Sequence, residues 1–309
     1  MPNPYEPPPP VPRPSGLGTT PRRPWMIPSP ARRPLISVVV PTRDSTPQVT
    51  RLLDSLVSQD CPGVEVLVNE DVRSRDSVRR VALAFQERGL DVRVLRDNPS
   101  RAAGRRRAAA QASGAVVLHL DSDMTASPGL LAECRHLIDS QEFDALVIPE
   151  VSVGEGFWGR CKVLEKRCYT GDQKVEALRC LRRELYDRIG GHDEALVWAE
   201  DRDLDLRVRA TGARVGTTTG VLVHDEGRTT LRGTMRKKAR YARTARSYAA
   251  KHPRDFAAQA SPARLVGLAV RGWRISRDPL LVGGMLLLKS CEFAAVATAL
   301  LVSGRAPRR

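Results

Sequence analysis

Ala115-Val116-Val117-Leu118-His119-Leu120-Asp121-Ser122-Asp123 reads as a buried strand that runs into two carboxylates. The run before Asp121 is short, rich in valine and leucine, and preceded by the breaker Ser113-Gly114, so a strand fits it better than a helix. Residues i and i+2 of an extended chain project to the same side. Asp121 and Asp123 would therefore aim together at the carboxyl end of the strand, where open α/β sheets take their ligands. Two hard oxygen donors converging there suit Mg²⁺ or Mn²⁺ and, through the metal, a diphosphate. A solvated Asp-Ser-Asp turn would read the same way from this stretch alone.

Upstream, Leu35 to Val40 is an apolar run stopped by Pro41, the pattern of a buried parallel strand. Thr46-Pro47 opens an amphipathic helix to about Gln59, with Val49, Leu52, Leu53 and Leu56 on one stripe. A second strand, Val64 to Val68, ends in Asn69-Glu70-Asp71. A helix over about 76–88 stops at Gly89, a third strand covers Asp91 to Leu95, and an Arg- and Ala-rich helix covers 101–112. Strand and helix alternating at this spacing predict a doubly wound, mostly parallel α/β sheet. Acids then stand at two strand ends, Glu70/Asp71 and Asp121/Asp123. Between them in sequence, the helix start at Gly104-Arg105-Arg106-Arg107 offers positive charge and amide donors to phosphates. A solvated arginine face is the plainer reading of the same residues.

The flanks differ from this body. Of the 309 residues, the first 34 hold 13 of the 23 prolines, five arginines and one acid. Such a segment buries too little apolar surface to offset its ordering entropy, so a disordered or polyproline-like arm is expected there. From Gly227 onward there are 18 Lys/Arg against 3 acids, which accounts for the whole net charge of +15. The six cysteines (61, 134, 161, 168, 180 and 291) form no C-x-x-C pair, and no leader pattern is visible. Reduced thiols in a cytoplasmic setting are the expectation.

These stretches together resemble the family 2 type of nucleotide-sugar glycosyltransferase, with a GT-A fold, over about residues 35–255. Val39-Val40-Pro41-Thr42-Arg43 is similar to the family's opening strand and nucleotide loop, and Glu70-Asp71 stands at its Asp-Asp pair. Gly104-Arg105-Arg106 stands where the family has Ala-Arg-Asn, and Asp121-Ser122-Asp123 matches its D-x-D. Arg188-Ile189-Gly190-Gly191-His192-Asp193-Glu194 resembles its Gly-Gly-Phe-Asp turn, and Ala199-Glu200-Asp201 with the run to Arg207 resembles its Glu-Asp helix. Val221-Leu222-Val223-His224 resembles the strand whose histidine completes a metal site. Gly156-Phe157-Trp158 with Tyr169-Thr170-Gly171-Asp172 is similar to the acceptor-side region of a bacterial cell-envelope subgroup. Glu70, Val72, Arg106 and His192 depart from the usual Asp, Gly, Asn and Phe.

The resemblance implies donor contacts from Pro41, Thr42, Arg43, Glu70, Asp71, Arg105 and Asp121, and a Mn²⁺ or Mg²⁺ ion held by Asp121, Asp123 and His224. It implies an inverting, in-line displacement with Asp201 as base beside Glu200. The residues themselves place Asp201 near the N-terminus of an acidic helix, whose dipole keeps a carboxylate ionised. Helix capping would use the same residues. Trp158, Tyr169 and Trp198 are candidates for stacking on a sugar, or for core packing.

Residues 231–250 read as a helix with Leu231, Met235, Ala239, Ala242 and Ala245 toward the protein and six Lys/Arg outward. Its charge suits donor diphosphate or anionic lipid headgroups; nucleic acid ranks last, since no groove-reading or stacking module is visible. Leu280 to Val302 is long enough to span a bilayer, but Lys289 and Glu292 sit in its middle. Each central charge costs roughly 2.5–3.5 kcal/mol on insertion scales, softened by i,i+3 pairing. A helix or hairpin in the membrane interface is therefore expected, with Arg264, Arg271, Arg274 and Arg277 toward headgroups; a packed helix is the first alternative and a true span the second. The resulting expectation has three parts: an arm over 1–34, a GT-A domain over 35–230 and a basic helical extension over 231–309. The protein that the resemblance implies is a cytoplasmic enzyme at the inner face of the plasma membrane. It moves sugar from a nucleotide donor, UDP-sugar first, to a cell-envelope or lipid-linked acceptor. Nucleotidyl transfer and a noncatalytic sugar- or membrane-binding module are the rivals.

Overall fold

The computed structural model describes residues 36–172, 175–259, 261 and 263–303. The expected arm over 1–34 lies outside them. In chain order the first half runs β1 (Ile36–Thr42), α1 (Thr46–Val57), β2 (Val64–Asp71), α2 (Arg79–Glu87), β3 (Asp91–Asn98), α3 (Arg101–Gln111), β4 (Val116–His119) and β5 (Met124–Ala126). Then come α4 (Leu130–Asp139), β6 (Ala145–Val147), β7 (Glu150–Glu155), α5 (Gly156–Arg167), β8 (Leu178–Arg182), α6 (Arg183–Arg188), α7 (Glu200–Ala210), β9 (Val215–Thr217) and β10 (Leu222–Arg228). Four helices close the described chain: α8 (Leu231–Lys251), α9 (Pro253–Gln259), α10 (Ala263–Ser276) and α11 (Pro279–Ser303).

The main sheet has the order β3-β2-β1-β4-β8-β6-β9. Its β3-β2-β1-β4 half is parallel, as the strand-helix alternation predicts, whereas β8 runs antiparallel to both β4 and β6. The order reverses between β1 and β4, which opens a crevice beyond their carboxyl ends. A second sheet, β5-β10-β7, stands beside it and carries His224 on β10. The two faces of β1 divide by the period of two. Ile36, Val38 and Val40 join the core under α1, α2 and α4, while Val39 joins Ala108, Leu181, Leu204 and Val208 on the side of α3 and α7.

Two boundaries move. β2 continues through Glu70 and Asp71, so these acids are strand residues, buried rather than set in a loop. The helix expected from about residue 76 begins at Arg79, because Asp76 is used elsewhere: its carboxylate accepts from Thr46 N (3.0 Å) and Thr46 Oγ1 (2.6 Å) and so caps α1.

In the C-terminal third, α11 lies against α5 and α8, with Cys161, Leu164, Tyr169, Leu268, Met285 and Leu288 forming a satellite core. A Cβ on Gly284 would fall 2.5 Å from Phe157 Cζ, so only glycine lets α11 come this near α5. Lys289 does pair with Glu292 (3.1 Å), yet both are drawn inward to partners on α5 and α8. Pro279–Thr298 is long and apolar enough to cross a membrane by length and composition, with one third of that window buried against the rest of the protein. Val266, Val270, Trp273, Leu280 and Leu287 are exposed on α10 and α11. One of the arginines expected toward headgroups turns inward, Arg264 stacking over Tyr169 at 4.9 Å, while Arg271, though exposed, donates to the Cys168 carbonyl at 3.0 Å. Arg274 and Arg277 are exposed.

Candidate active site

Ser100 accepts from Ala103 N (3.3 Å) and starts α3, which delivers Arg105 to the crevice wholly buried. One guanidinium nitrogen of Arg105 donates to Asp201 Oδ1 (2.6 Å) and lies 3.3 Å from Glu200 Oε1; the other donates to Asp121 Oδ1 (2.7 Å). Three acids, from the end of β4 and the head of α7, thus meet on a single cation. Arg179 on β8 closes the other side, donating to Glu150 Oε1 at 2.6 and 2.9 Å and reaching Asp121 Oδ2 at 3.4 Å. Burial pushes the Asp121 carboxyl up, but Arg105, Arg101 and Arg179 outweigh it and keep it well below the usual carboxylate range.

The head of α7 carries a conformational cost. Ala199, its N-cap, sits at φ +61°, in the left-handed region that a Cβ disfavours. Asp201 lines the cleft, whereas Glu200 is buried behind it. Burial would raise Asp201, yet Arg105, His192 and Arg179 hold it well below the ordinary range. Glu200 goes the other way: burial and the neighbouring Asp201 charge push it up to about 7, against Arg101 and Arg105.

His192 explains part of this. Its backbone N–H donates to the Tyr186 hydroxyl (3.2 Å), which lies 3.1 Å from Nδ1. The hydroxyl thus bridges the backbone N–H and Nδ1 of His192 and fixes the ring with Nε2 facing Asp201 Oδ1 at 3.4 Å. Burial keeps the ring below its ordinary pKa.

The three expected metal ligands divide. Among the described residues no ready cluster of three His, Cys, Asp or Glu side chains is assembled. Asp123 Oδ2 and His224 Nε2 lie 3.5 Å apart, with Glu150 Oε2 3.4 Å from His224 Nδ1 and Glu226 4.0 Å from it. Asp121 is instead held by the two guanidiniums. Burial lowers His224, but the carboxylates of Asp123 and Glu150 raise it to about 10. The ring thus favours its protonated form, with Asp123 facing Nε2 and Glu150 and Glu226 facing Nδ1. Asp123 Oδ2 and His224 Nε2 are an oxygen and a nitrogen donor of the kind a divalent ion takes, and these two residues would hold one once the ring gives up its proton.

The donor set also divides. Arg105 and Asp121 belong to the crevice, while Pro41, Thr42 and Arg43 lie at the end of β1 beside Glu70 and Asp71 at the end of β2, Thr42 pairing with Glu70 in register. Thr42 Oγ1 is buried without a hydrogen-bond partner, and Glu70 Oε2, likewise without a hydrogen bond, stands 3.6 Å from the Arg96 guanidinium. Asp71 is clasped by Arg73 at 2.7 and 2.9 Å, and Arg43 stands 3.9 Å away.

A cleft of about 520 Å³ joins Asp121, Arg179, Asp201 and His224 to Trp198 and to α8. Of the aromatic candidates only Trp198 faces it. Tyr169 is buried in the satellite core and Trp158 packs against that core, edge-on to Phe157, because α11 and α10 cover the surface that the sequence left open. Sequence reasoning missed Arg179, Glu150 and Arg101. Arg179 interrupts the apolar run Leu178-Arg179-Cys180-Leu181, and that interruption was the available signal.

A sequence model of the family described as "Glycosyl transferase family 2" matches residues 37–191. The O-antigen biosynthesis protein RfbC of Myxococcus xanthus is 31% identical over 228 residues, which cover 62% of this chain and 17% of that protein. The pre-mycofactocin glycosyltransferase of Mycobacterium tuberculosis is 29% identical over 262 residues, 77% of this chain and 52% of that one. The chain therefore spans about half the length of one of these relatives and less of the other. Among solved structures, S. aureus TarS 1–349 in complex with UDP has a TM-score of 0.52 at 19% identity, covering 89% of this chain and 93% of TarS 1–349. The mannosyltransferase PcManGT from Pyrobaculum calidifontis, in complex with GDP-Man and Mn²⁺, has a TM-score of 0.51 at 22% identity, covering 93% and 80%. At these identities the likeness is one of fold, the GT-A architecture. Matched by the family's model over half its length, the chain belongs to glycosyl transferase family 2.

Proposed function

We propose that the protein moves a sugar from a nucleoside-diphosphate donor, UDP-sugar first, to a hydroxyl of a cell-envelope or lipid-linked acceptor, with inversion at the anomeric carbon. The observation that carries this reading is Arg105, which draws the end of β4 and the head of α7 to one point. Both contacts on Asp201 fall on Oδ1, so Oδ2 is the oxygen offered to an acceptor proton. In the proposed reaction the acceptor O–H bond breaks with its proton passing to Asp201 while the oxygen attacks the anomeric carbon. The bond from that carbon to the diphosphate oxygen breaks, and its electron pair leaves with the diphosphate. Arg105 keeps Asp201 ionised and oriented, and Thr42 offers a buried hydroxyl without a hydrogen-bond partner to the nucleoside, beside Glu70.

A Mn²⁺ or Mg²⁺ ion held by Asp123 and His224 would supply Lewis-acid stabilisation of the leaving diphosphate. The UDP of the TarS complex and the GDP-Man and Mn²⁺ of the PcManGT complex support a nucleotide donor and a divalent ion. The family assignment favours glycosyl transfer over the nucleotidyl transfer left open by the sequence. We place the enzyme at the cytoplasmic face of the membrane. Trp273, Leu280 and Leu287 would enter the interface, with Arg274 and Arg277 at the headgroups.

Calorimetric titration of UDP, GDP and TDP with and without Mn²⁺ tests the reading. One nucleotide should bind with manganese dependence, and Asp123→Ala should remove that dependence. Asp201→Asn should bind the nucleotide as wild type does but turn over at least 100-fold more slowly with a competent acceptor. No binding of any of the three to folded protein would overturn the proposal.

A further inference from the structure

The cleft does not end at Asp201. Past Trp198, one residue before the strained Ala199, a cavity of about 190 Å³ opens between α8, α9 and α11. Trp198, Lys238, Tyr241 and Arg264 line both spaces, so the cavity is a side chamber of the cleft. Its wall is apolar: Trp198, Tyr241, Phe256, Phe293 and Val296, with Trp198 edge-on to Phe256 at 6.3 Å and to Tyr248 at 5.5 Å. A cavity of ~150 Å³ holds a benzene molecule, so this one admits a single ring or a short acyl segment, not an oligosaccharide.

The chamber's floor is charged. Lys289 lies 2.6 Å from Glu165 and 3.1 Å from Glu292, and Lys162 lies 2.7 and 3.0 Å from the same two glutamates. Those pairs already balance. Lys238 is the third cation, with Glu292 at 3.4 Å as its carboxylate neighbour among the described residues. Burial pushes Lys238 down to about 8, and Lys162 and Lys289 add to the push against the pull of Glu292 and Glu165. Arg264 adds another cation at the rim, stacked over Tyr169. Surplus positive charge against an apolar wall costs free energy that an arriving anion would offset.

We propose that this chamber is the acceptor subsite and that it selects an amphiphile whose carboxylate or phosphate meets Lys238 while its ring or acyl segment lies against Trp198, Phe256 and Val296. The proposal rests on the glycosyl-transfer reading of the adjoining cleft. It excludes a plain neutral glycan as the group held there.

The test uses the full chain with 3-phenylpropionate, phenyl phosphate and the neutral 3-phenylpropanamide as probes, followed by ligand-observed NMR titration, with UDP binding measured on the same samples. Both acids should bind at least 10-fold more tightly than the amide, and the tighter acid identifies carboxylate or phosphate as the natural group. Val296→Trp, which fills the chamber, should abolish acid binding and leave UDP binding unchanged. Lys238→Met should bring acid and amide to within twofold of each other. Equal binding of acid and amide to wild type, or undiminished acid binding by Val296→Trp, would overturn the subsite while UDP still binds. Failure of UDP to bind would instead sink the glycosyl-transfer reading on which the subsite rests.

Discussion

At the scale of single residues, the site is a problem of too many acids in one place. Asp121, Glu200 and Asp201 converge on Arg105, and the protein resolves the conflict by giving the carboxylates opposite shifts. Asp201, on the cleft, is held ionised. Glu200, behind it, is raised to about 7 and so is partly protonated near neutrality. The stability consequence has a definite sign. A carboxyl raised on folding contributes stability that is fully present below its unfolded value, near 4.5, and is lost as pH rises through about 7. Glu200→Gln removes that loss. Denaturant titrations of wild type and Glu200→Gln between pH 4.5 and 8 should show the variant gaining relative stability as pH rises, with the gain levelling off above pH 7. A flat difference would mean that folding leaves the Glu200 carboxyl at its unfolded pKa.

At the scale of elements, the β8-α6 region and its turn into α7 act as a bracket for Asp201. Gly191 stands at φ +68°, and a Cβ there would lie 2.9 Å from the Tyr186 ring, whose hydroxyl holds His192 against Asp201. Gly191→Ala meets both a backbone and a packing obstacle, so it should cost about 2 kcal/mol. For a domain of this size that lowers Tm by roughly 4–8 °C, readable by calorimetry. Because the Tyr186–His192 contact moves with it, turnover should fall more than nucleotide binding does. An unchanged Tm would show that Tyr186 swings aside without cost. The helices α5, α8 and α11 form a second bracket through Lys162, Glu165, Lys238, Lys289 and Glu292. That network explains how two charges can sit in the middle of the most apolar helix: their partners come from other elements rather than from lipid or water.

At the scale of the molecule, the charge is concentrated where the described chain closes with four helices, and the exposed apolar side chains of α10 and α11 lie beside Arg274 and Arg277. Such a surface should bind vesicles containing anionic lipid and release them with salt. Flotation with phosphatidylglycerol vesicles is the measurement. Replacing both Arg274 and Arg277 by Glu should weaken binding by at least about 10-fold, at roughly 1 kcal/mol per charge near the surface. Trp273→Asp should weaken it further without altering UDP binding. Vesicle binding that ignores both changes would place the membrane contact elsewhere or deny it.

The sequence by itself determined the order of strands and helices from β1 to β4, the acids at the ends of β2 and β4, and the acidic helix that carries Asp201. Those features come from local periodicity and from breakers a few residues apart, and both are written into neighbouring positions. Only the tertiary structure decided which acids are held by which cations. Arg179 reaches Asp121 from 58 positions away because β8 enters the sheet antiparallel to β4, and Lys162 meets Glu292 across 130 positions. The same folding-back put Tyr169 and Trp158 at a helix interface and left Trp198 on the cleft. Burial and pairing of this kind arise from contacts between distant segments, and no short stretch of sequence encodes them.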